Sequence, residues 1–229
     1  MFYIDPVYFW FVFIPVVLIS MGVQLYMRST FNKWSKIANS SGLAGIHVAK
    51  ALFDRTSLQP IRVERVTGKL SDHFDPVANV IRLSDDTARK KSIAAMAVTA
   101  HELGHVQQYQ TGSVMIKARG FLVPALQFSP TISYIAILLG LWFNMTGLLY
   151  VGIIFFAIMV LFSILTLPIE IDASRRGLQM LTEAGLMQAE QDANGSKAVL
   201  RAAAMTYLAA AITSILQLLY YLSVARRRN

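Results

Sequence analysis

The sequence predicts a mainly α integral membrane protein with about four transmembrane helices and a small α+β cytoplasmic unit. Three observations lead there. The 229 residues are 55% hydrophobic and only 15% charged, too apolar for an ordinary soluble domain of this size. The apolar residues are gathered into long uncharged blocks, each able to cross a bilayer, which takes about 20 residues. The polar residues fall mainly in two stretches, and the first of them carries the pattern His101-Glu102-Leu103-Gly104-His105.

Val7 to Met27 contains no charged residue and is read as a span, so residues 1–27 form an N-terminal anchor. No Lys or Arg precedes it, whereas Arg28, Lys33 and Lys36 follow. Those flanks suit an uncleaved anchor with its N-terminus outside better than a signal peptide. Residues 28–120 are expected to be the cytoplasmic unit. Leu43, Ile46, Ala49 and Leu52 recur at helical spacing and predict an amphipathic helix near Gly42 to Phe53. Two short strands are expected at Ile61–Val66 and Asn79–Leu83, separated by turn signals at Gly68 and Asp75-Pro76. Ser84-Asp85-Asp86 then supplies cap chemistry for a long helix ending near Gly112, on which the histidine pattern lies. From Phe121 to Ile169 there is again no charge, too long a run for one span. Asn144 and Gly147 offer a turn, so residues 121–168 are read as a transmembrane hairpin. Residues 169–201 form a second cytoplasmic segment, and 202–229 an Ala-rich fourth membrane helix with a basic tail.

The net charge of +8 follows this topology. Fourteen of the 21 Lys and Arg lie between Arg28 and Arg119, and four more between Arg175 and Arg201. The positive-inside rule places both polar segments in the cytoplasm of a multi-pass protein of the cell (inner) membrane. Arg226, Arg227 and Arg228 object to this, because a full fourth span carries them outside. No nucleic-acid binding motif accompanies the basic residues, so the bilayer is the expected partner and nucleic acid is not.

Histidines four apart share one face of a helix, so His101 and His105 can address one metal ion. Glu102, offset by one residue, is placed beside that ion, where it can take a proton from the attacking water and return it to a leaving amine. The chain has no cysteine, so only His, Asp or Glu can complete the site. A catalytic zinc ion takes three protein ligands, and no His follows His105. Among the later carboxylates, Glu170 stands at the end of an apolar run, where a charge is costly without a partner. It is the candidate third ligand of one Zn2+ per chain, the competing reading being an ion pair with Arg175 or Arg176. Arg89, Lys90 and Lys91 before the motif, and Gln107, Gln108 and Gln110 after it, argue against a site inside the bilayer. The remaining rival is a non-catalytic membrane scaffold with a vestigial or structural zinc site.

The segments Ala100–His105, Ile169–Arg176, Ala203–Ala210 and Ser71–Pro76 together resemble the bacterial membrane-bound neutral zinc metallopeptidases of YugP type. More distantly the chain is similar to HtpX-like gluzincin proteases. The resemblance implies a four-span, zincin-like enzyme acting on a protein or peptide, with His101, His105 and Glu170 as zinc ligands and Glu102 as the catalytic carboxylate. The HtpX-like enzymes place an Asp four residues after the ligand Glu to steady a zinc-bound His. Here that position is Ser174, and the nearby acid is Asp172, which a helix turns off the ligand face. In zinc peptidases of this build an edge strand before the metal helix holds the substrate extended, a role suited to Asn79–Leu83. His73, expected in the turn between the strands, is a candidate oxyanion donor, and Tyr207 a second; His47 is read as solvated or structural.

Overall fold

The computed structural model describes residues 5–68 and 70–228. Its elements in chain order are helix α1 (Pro6–Trp34), α2 (Gly45–Arg55), strands β1 (Arg62–Val66), β2 (His73–Asp75) and β3 (Val80–Ser84), then α3 (Asp85–Arg89), α4 (Ile93–Gln110), α5 (Val114–Trp142), α6 (Thr146–Glu183) and α7 (Glu190–Arg227). Helices α1, α5, α6 and α7 are long and apolar enough to cross a membrane. The shortest have 29 residues, about 44 Å against a hydrocarbon core of about 30 Å. The protein is thus a mainly α membrane protein with a small α+β part.

The chain divides into two compact units, one of residues 1–24, 117–168 and 206–229, the other of 25–116 and 169–205. In the first, α5 and α6 form the expected hairpin. Its turn is made by Asn144 at φ 56°, a left-handed conformation that Asn tolerates, while Gly147 already lies within α6. The two helices touch backbone to backbone: a Cβ on Gly140 or on Gly152 would come 2.7 Å from a main-chain nitrogen of the facing helix. The basic tail ends α7 without a break, and Arg228 Nη1 donates to the Leu141 carbonyl at 3.2 Å. A cation thereby meets the negative C-terminal end of α5.

The second unit wraps a three-stranded sheet and α4 around a buried core. The sheet order is β1-β3-β2, with β1 parallel and β2 antiparallel to β3. Leu52, Ile81, Leu83, Met96, Leu103 and Leu181 form the centre of that core and are completely or almost completely buried. The predicted helix near Gly42 is displaced to Gly45–Arg55, with Val48, Ala49 and Leu52 on its inner face. Three expectations are corrected. His73 belongs to a strand, β2, not to a turn. Strand β3, expected to lie at the edge, is central, leaving β1 and β2 as the edges. The helix after Ser84 is also shorter than expected: Ser84 caps only the five-residue α3, and the metal helix starts afresh at Ser92, whose hydroxyl accepts from Ala95 N at 3.2 Å. The interruption is tertiary in origin, because residues 37–39 pair with 91–93: Asn39 N donates to Lys91 O, and Ile93 N to Ile37 O, both at 2.9 Å.

Candidate metal centre

Helix α4 presents His101 and His105 one turn apart, with ring centroids separated by 4.7 Å and the rings nearly perpendicular. Glu170 reaches them from α6, which passes α4 at unusually close range. A Cβ on Gly177 would stand 2.5 Å from Ala100 O and 3.0 Å from His101 N, and one on Gly104 would collide with the Ala173 carbonyl. Glycines at these two points let one helix backbone lie on the other. That proximity carries the short, almost fully buried Glu170 side chain to the histidines.

Glu170 Oε2 lies 3.2 Å from His101 Nε2 and 3.4 Å from His105 Nε2. All three ligand atoms fall within 4.8 Å of one another. Ligands held at about 2.0–2.1 Å in a tetrahedron are separated by about 3.3–3.4 Å, so two imidazole nitrogens and one carboxylate oxygen fit a zinc ion. The competing partners of Glu170 are engaged elsewhere: Arg175 and Arg176 each meet Asp172 at 2.7 Å.

The electrostatics agree with a tightly coupled cluster. Burial works against the Glu170 carboxylate, but the adjoining imidazoles of His101 and His105 outweigh it and hold its pKa well below the usual range. Burial likewise disfavours a charged His105, yet the Glu170 contact prevails and raises its pKa. Glu102, 7% exposed, is shifted the other way: burial pushes its carboxyl up, against the opposing pull of His101 and His105. Two acids beside the same histidines thus differ in their appetite for a proton.

Behind the ligands stand two side chains that the motif alone does not name. Ser174 Oγ is 3.1 Å from His101 Nδ1, one helical turn beyond Glu170. Gln108 Oε1 is 3.1 Å from His105 Nδ1, and its Nε2 donates to Ile169 O at 2.9 Å and to Asp172 Oδ2 at 2.8 Å. Gln108 is buried, three residues after His105 on the same helical face, and that spacing was its signal. Asp172 meets Arg175, Arg176 and Gln108, and its link to His105 runs through the Gln108 amide. His73 is not drawn into the cluster. It sits exposed on β2 with Nδ1 2.8 Å from Ser71 O and Nε2 3.5 Å from Arg82 Nη1. Tyr207 lies on the part of α7 that belongs to the other unit, and His47 is exposed on α2.

Comparison with known proteins agrees with this geometry. Residues 9–226 match a family described as "putative neutral zinc metallopeptidase". The chain is 35% identical over 216 residues to a protein of Bacillus subtilis (strain 168) named "putative membrane protease YugP", an alignment covering 94% of this chain and 96% of that one. No solved structure matches. With nearly its whole length matched, the chain belongs to the neutral zinc metallopeptidase family.

Proposed function

We propose that the protein is a zinc-dependent membrane endopeptidase, with one zinc ion per chain held by His101, His105 and Glu170. The observation that carries this is the convergence of three donor atoms at 3.2 and 3.4 Å beside a buried Glu102. When bound, zinc supplies a Lewis acid that polarises a carbonyl and makes water ionisable near neutral pH. The chain's own residues do the rest. Glu102 accepts a proton from the attacking water on its carboxylate and delivers it to the nitrogen of the departing amine. Burial raises its pKa and so favours the protonated form through which a group that takes and then gives a proton must pass. Ser174 and Gln108 fix the ring orientations of His101 and His105 through their Nδ1 atoms, leaving Nε2 of each for the metal.

The substrate is a protein or peptide bound in extended form. Its strand role passes from Asn79–Leu83, which is central, to β2, an edge strand packed against α4 through the Phe74–Tyr109 ring pair at 5.6 Å. His73 on that strand is the candidate oxyanion donor. The distribution of Lys and Arg supports a cytoplasmic position for residues 28–120 and 169–201 in a multi-pass protein of the cell (inner) membrane.

The test begins with metal, because activity assays depend on an unidentified substrate. Detergent-purified wild type is expected to hold near one zinc per chain and Glu170→Ala much less. Glu102→Gln is expected to retain the metal while losing cleavage of an unfolded protein substrate. A wild type that takes up no zinc after reconstitution overturns the reading and leaves the scaffold in its place. Hydrolysis retained by Glu102→Gln overturns the mechanism.

A further inference from the structure

The hydrogen-bonding pattern of the β2 edge can be read from one side chain. Ser84 N donates to Asp72 Oδ1 at 2.7 Å, which turns that amide of β3 towards β2. Amides two apart on a strand share a side, so Arg82 and Val80 turn theirs the same way. Their partners His73 and Asp75 therefore exchange both main-chain bonds with β3. Phe74, opposite Ile81, is left with its N–H and C=O directed out of the sheet. Its side chain packs with Ile81 against the core that α4 shares, and its ring meets Tyr109 edge to face. Tyr109 follows the candidate ligand His105 by one helical turn, about 6 Å along α4. It stays 46% exposed, so part of its ring is open. At the start of β2, the Asp72 carboxylate lies near enough to Glu102 for its charge to add to the upward push on that carboxyl. Strand β2 thus follows the stretch of α4 that carries Glu102, His105 and Tyr109. Residues 106–116 contain no charged side chain, so the chain beyond His105 brings no charge to the ring.

We propose, resting on the endopeptidase reading, that Phe74 and Tyr109 form a specificity subsite. The Phe74 main chain pairs with an extended substrate, and the substrate residue opposite it lays a large apolar side chain on the Tyr109 ring. Directly opposed residues of neighbouring strands point to the same face of a sheet, with Cβ atoms about 4.5–5.5 Å apart. A chain added at β2 therefore sends the side chain opposite Phe74 towards α4, where the open ring stands. Main-chain bonds at a sheet edge hold any sequence, and the side-chain contact discriminates. Phe, Leu or Met gains burial against both rings. Asp or Glu instead loses hydration against a ring face that is itself negative, with no cation in residues 106–116 to answer it. An extended chain advances about 3.4 Å per residue, so the selected residue stands about two positions from the bond that is cut.

A randomised library of short peptides with blocked ends, cut by zinc-loaded full-length protein in nanodiscs and read by mass spectrometry, tests this. Cut peptides are expected to carry Phe, Leu or Met at one position near the cleaved bond about tenfold more often than Asp or Glu. Tyr109→Phe is expected to keep that preference and Tyr109→Ala to lose most of it. Tyr109→Glu is expected to replace it with Lys or Arg. A cleavage profile that neither Tyr109→Ala nor Tyr109→Glu alters overturns the subsite and leaves the endopeptidase reading standing. A second readout needs no cleavage: Glu102→Gln protein carrying Tyr109→p-benzoylphenylalanine is illuminated with the same library. The control carries that group at Val77, which is 96% exposed in the turn after β2. Peptides crosslinked at position 109 are expected to be enriched in Phe, Leu and Met over those crosslinked at 77. That enrichment supports the subsite even where wild type cuts nothing, a result that sinks the endopeptidase reading alone. Adducts with lipid only, or with peptides of the same composition at both positions, overturn the proposal.

Discussion

Gly177→Ala is the sharpest probe of how the metal centre is assembled. In a helix interior alanine is favoured over glycine by about 1 kcal/mol, so propensity alone predicts a stabilised protein. Contact geometry predicts the reverse. The added Cβ would lie 2.5 Å from Ala100 O, 2.7 Å from Ala100 C and 3.0 Å from His101 N. All three are main-chain atoms of α4, so no side chain can turn aside. Restoring an ordinary carbon–oxygen separation of about 3.4 Å needs a relative displacement of about 0.9 Å between α4 and α6. Zinc ligand distances tolerate about 0.2 Å. The displacement therefore moves Glu170 out of register with the histidines, and overpacking of this kind costs about 1–3 kcal/mol. Expected are a lower melting temperature and a loss of zinc affinity of at least about 10-fold, measured by competition against a chelating dye. Gly120→Ala and Gly147→Ala are the controls, because a Cβ at either position meets nothing within 4 Å. A Gly177→Ala protein that binds zinc like wild type, and melts no lower, refutes the idea that close helix contact builds the site.

Ser174→Ala and Gln108→Leu are each expected to weaken zinc binding about 10–100-fold by freeing a histidine ring, with Ser174→Thr largely restoring it; the dye competition reads all three. Ser92→Ala removes the cap of the candidate metal helix and is expected to cost about 1 kcal/mol in chemical unfolding, whereas Ser84→Ala uncaps the short α3 and frees Asp72 Oδ2 but leaves the cap of the motif helix in place. Burial opposes the Asp172 carboxylate, but Gln108, Arg176 and Arg175 together hold its pKa at about 2, below its ordinary 3.8. A depressed folded-state pKa stabilises above the unfolded value, and that stability is lost as pH falls through the folded one. The melting difference between wild type and Asp172→Asn is therefore expected to be full above about pH 4 and to vanish towards pH 2.

What was legible in the sequence follows from the range of the forces involved. The spans were readable because absence of charge over 20 residues is a local fact, and so was the pairing of His101 with His105, which helix periodicity fixes. Glu170 was reachable by elimination because a carboxylate at the end of an apolar run demands a partner. The start of α4 was not, since Ser84 and Ser92 both carry cap chemistry. What stops the helix between them is the main-chain pairing of residues 37–39 with 91–93, some 50 positions away in sequence. Strand β2 was hidden for a similar reason. Its three residues form no pattern of their own, and Asp75 also receives Val77 N and Ala78 N at 3.0 Å, which gives the segment its turn-like look.

The second layer of the metal centre shows where local reasoning stops and what replaces it. Helix geometry alone turns Asp172, two residues beyond Glu170, off the face that Glu170 presents to the histidines. Yet the acid still acts on the site, because Gln108 spans the gap with both ends of one amide, its Oε1 accepting from His105 Nδ1 on one side and its Nε2 donating to Asp172 on the other. An amide used this way has fixed polarity. With Nε2 committed to Ile169 O and Asp172, the oxygen is left for His105 Nδ1, which must then carry the proton and leave Nε2 as the bare nitrogen for a metal. The ionised Asp172, locked by two arginines, keeps the amide from flipping. The charge on an acid that touches neither histidine thus sets the tautomer of His105.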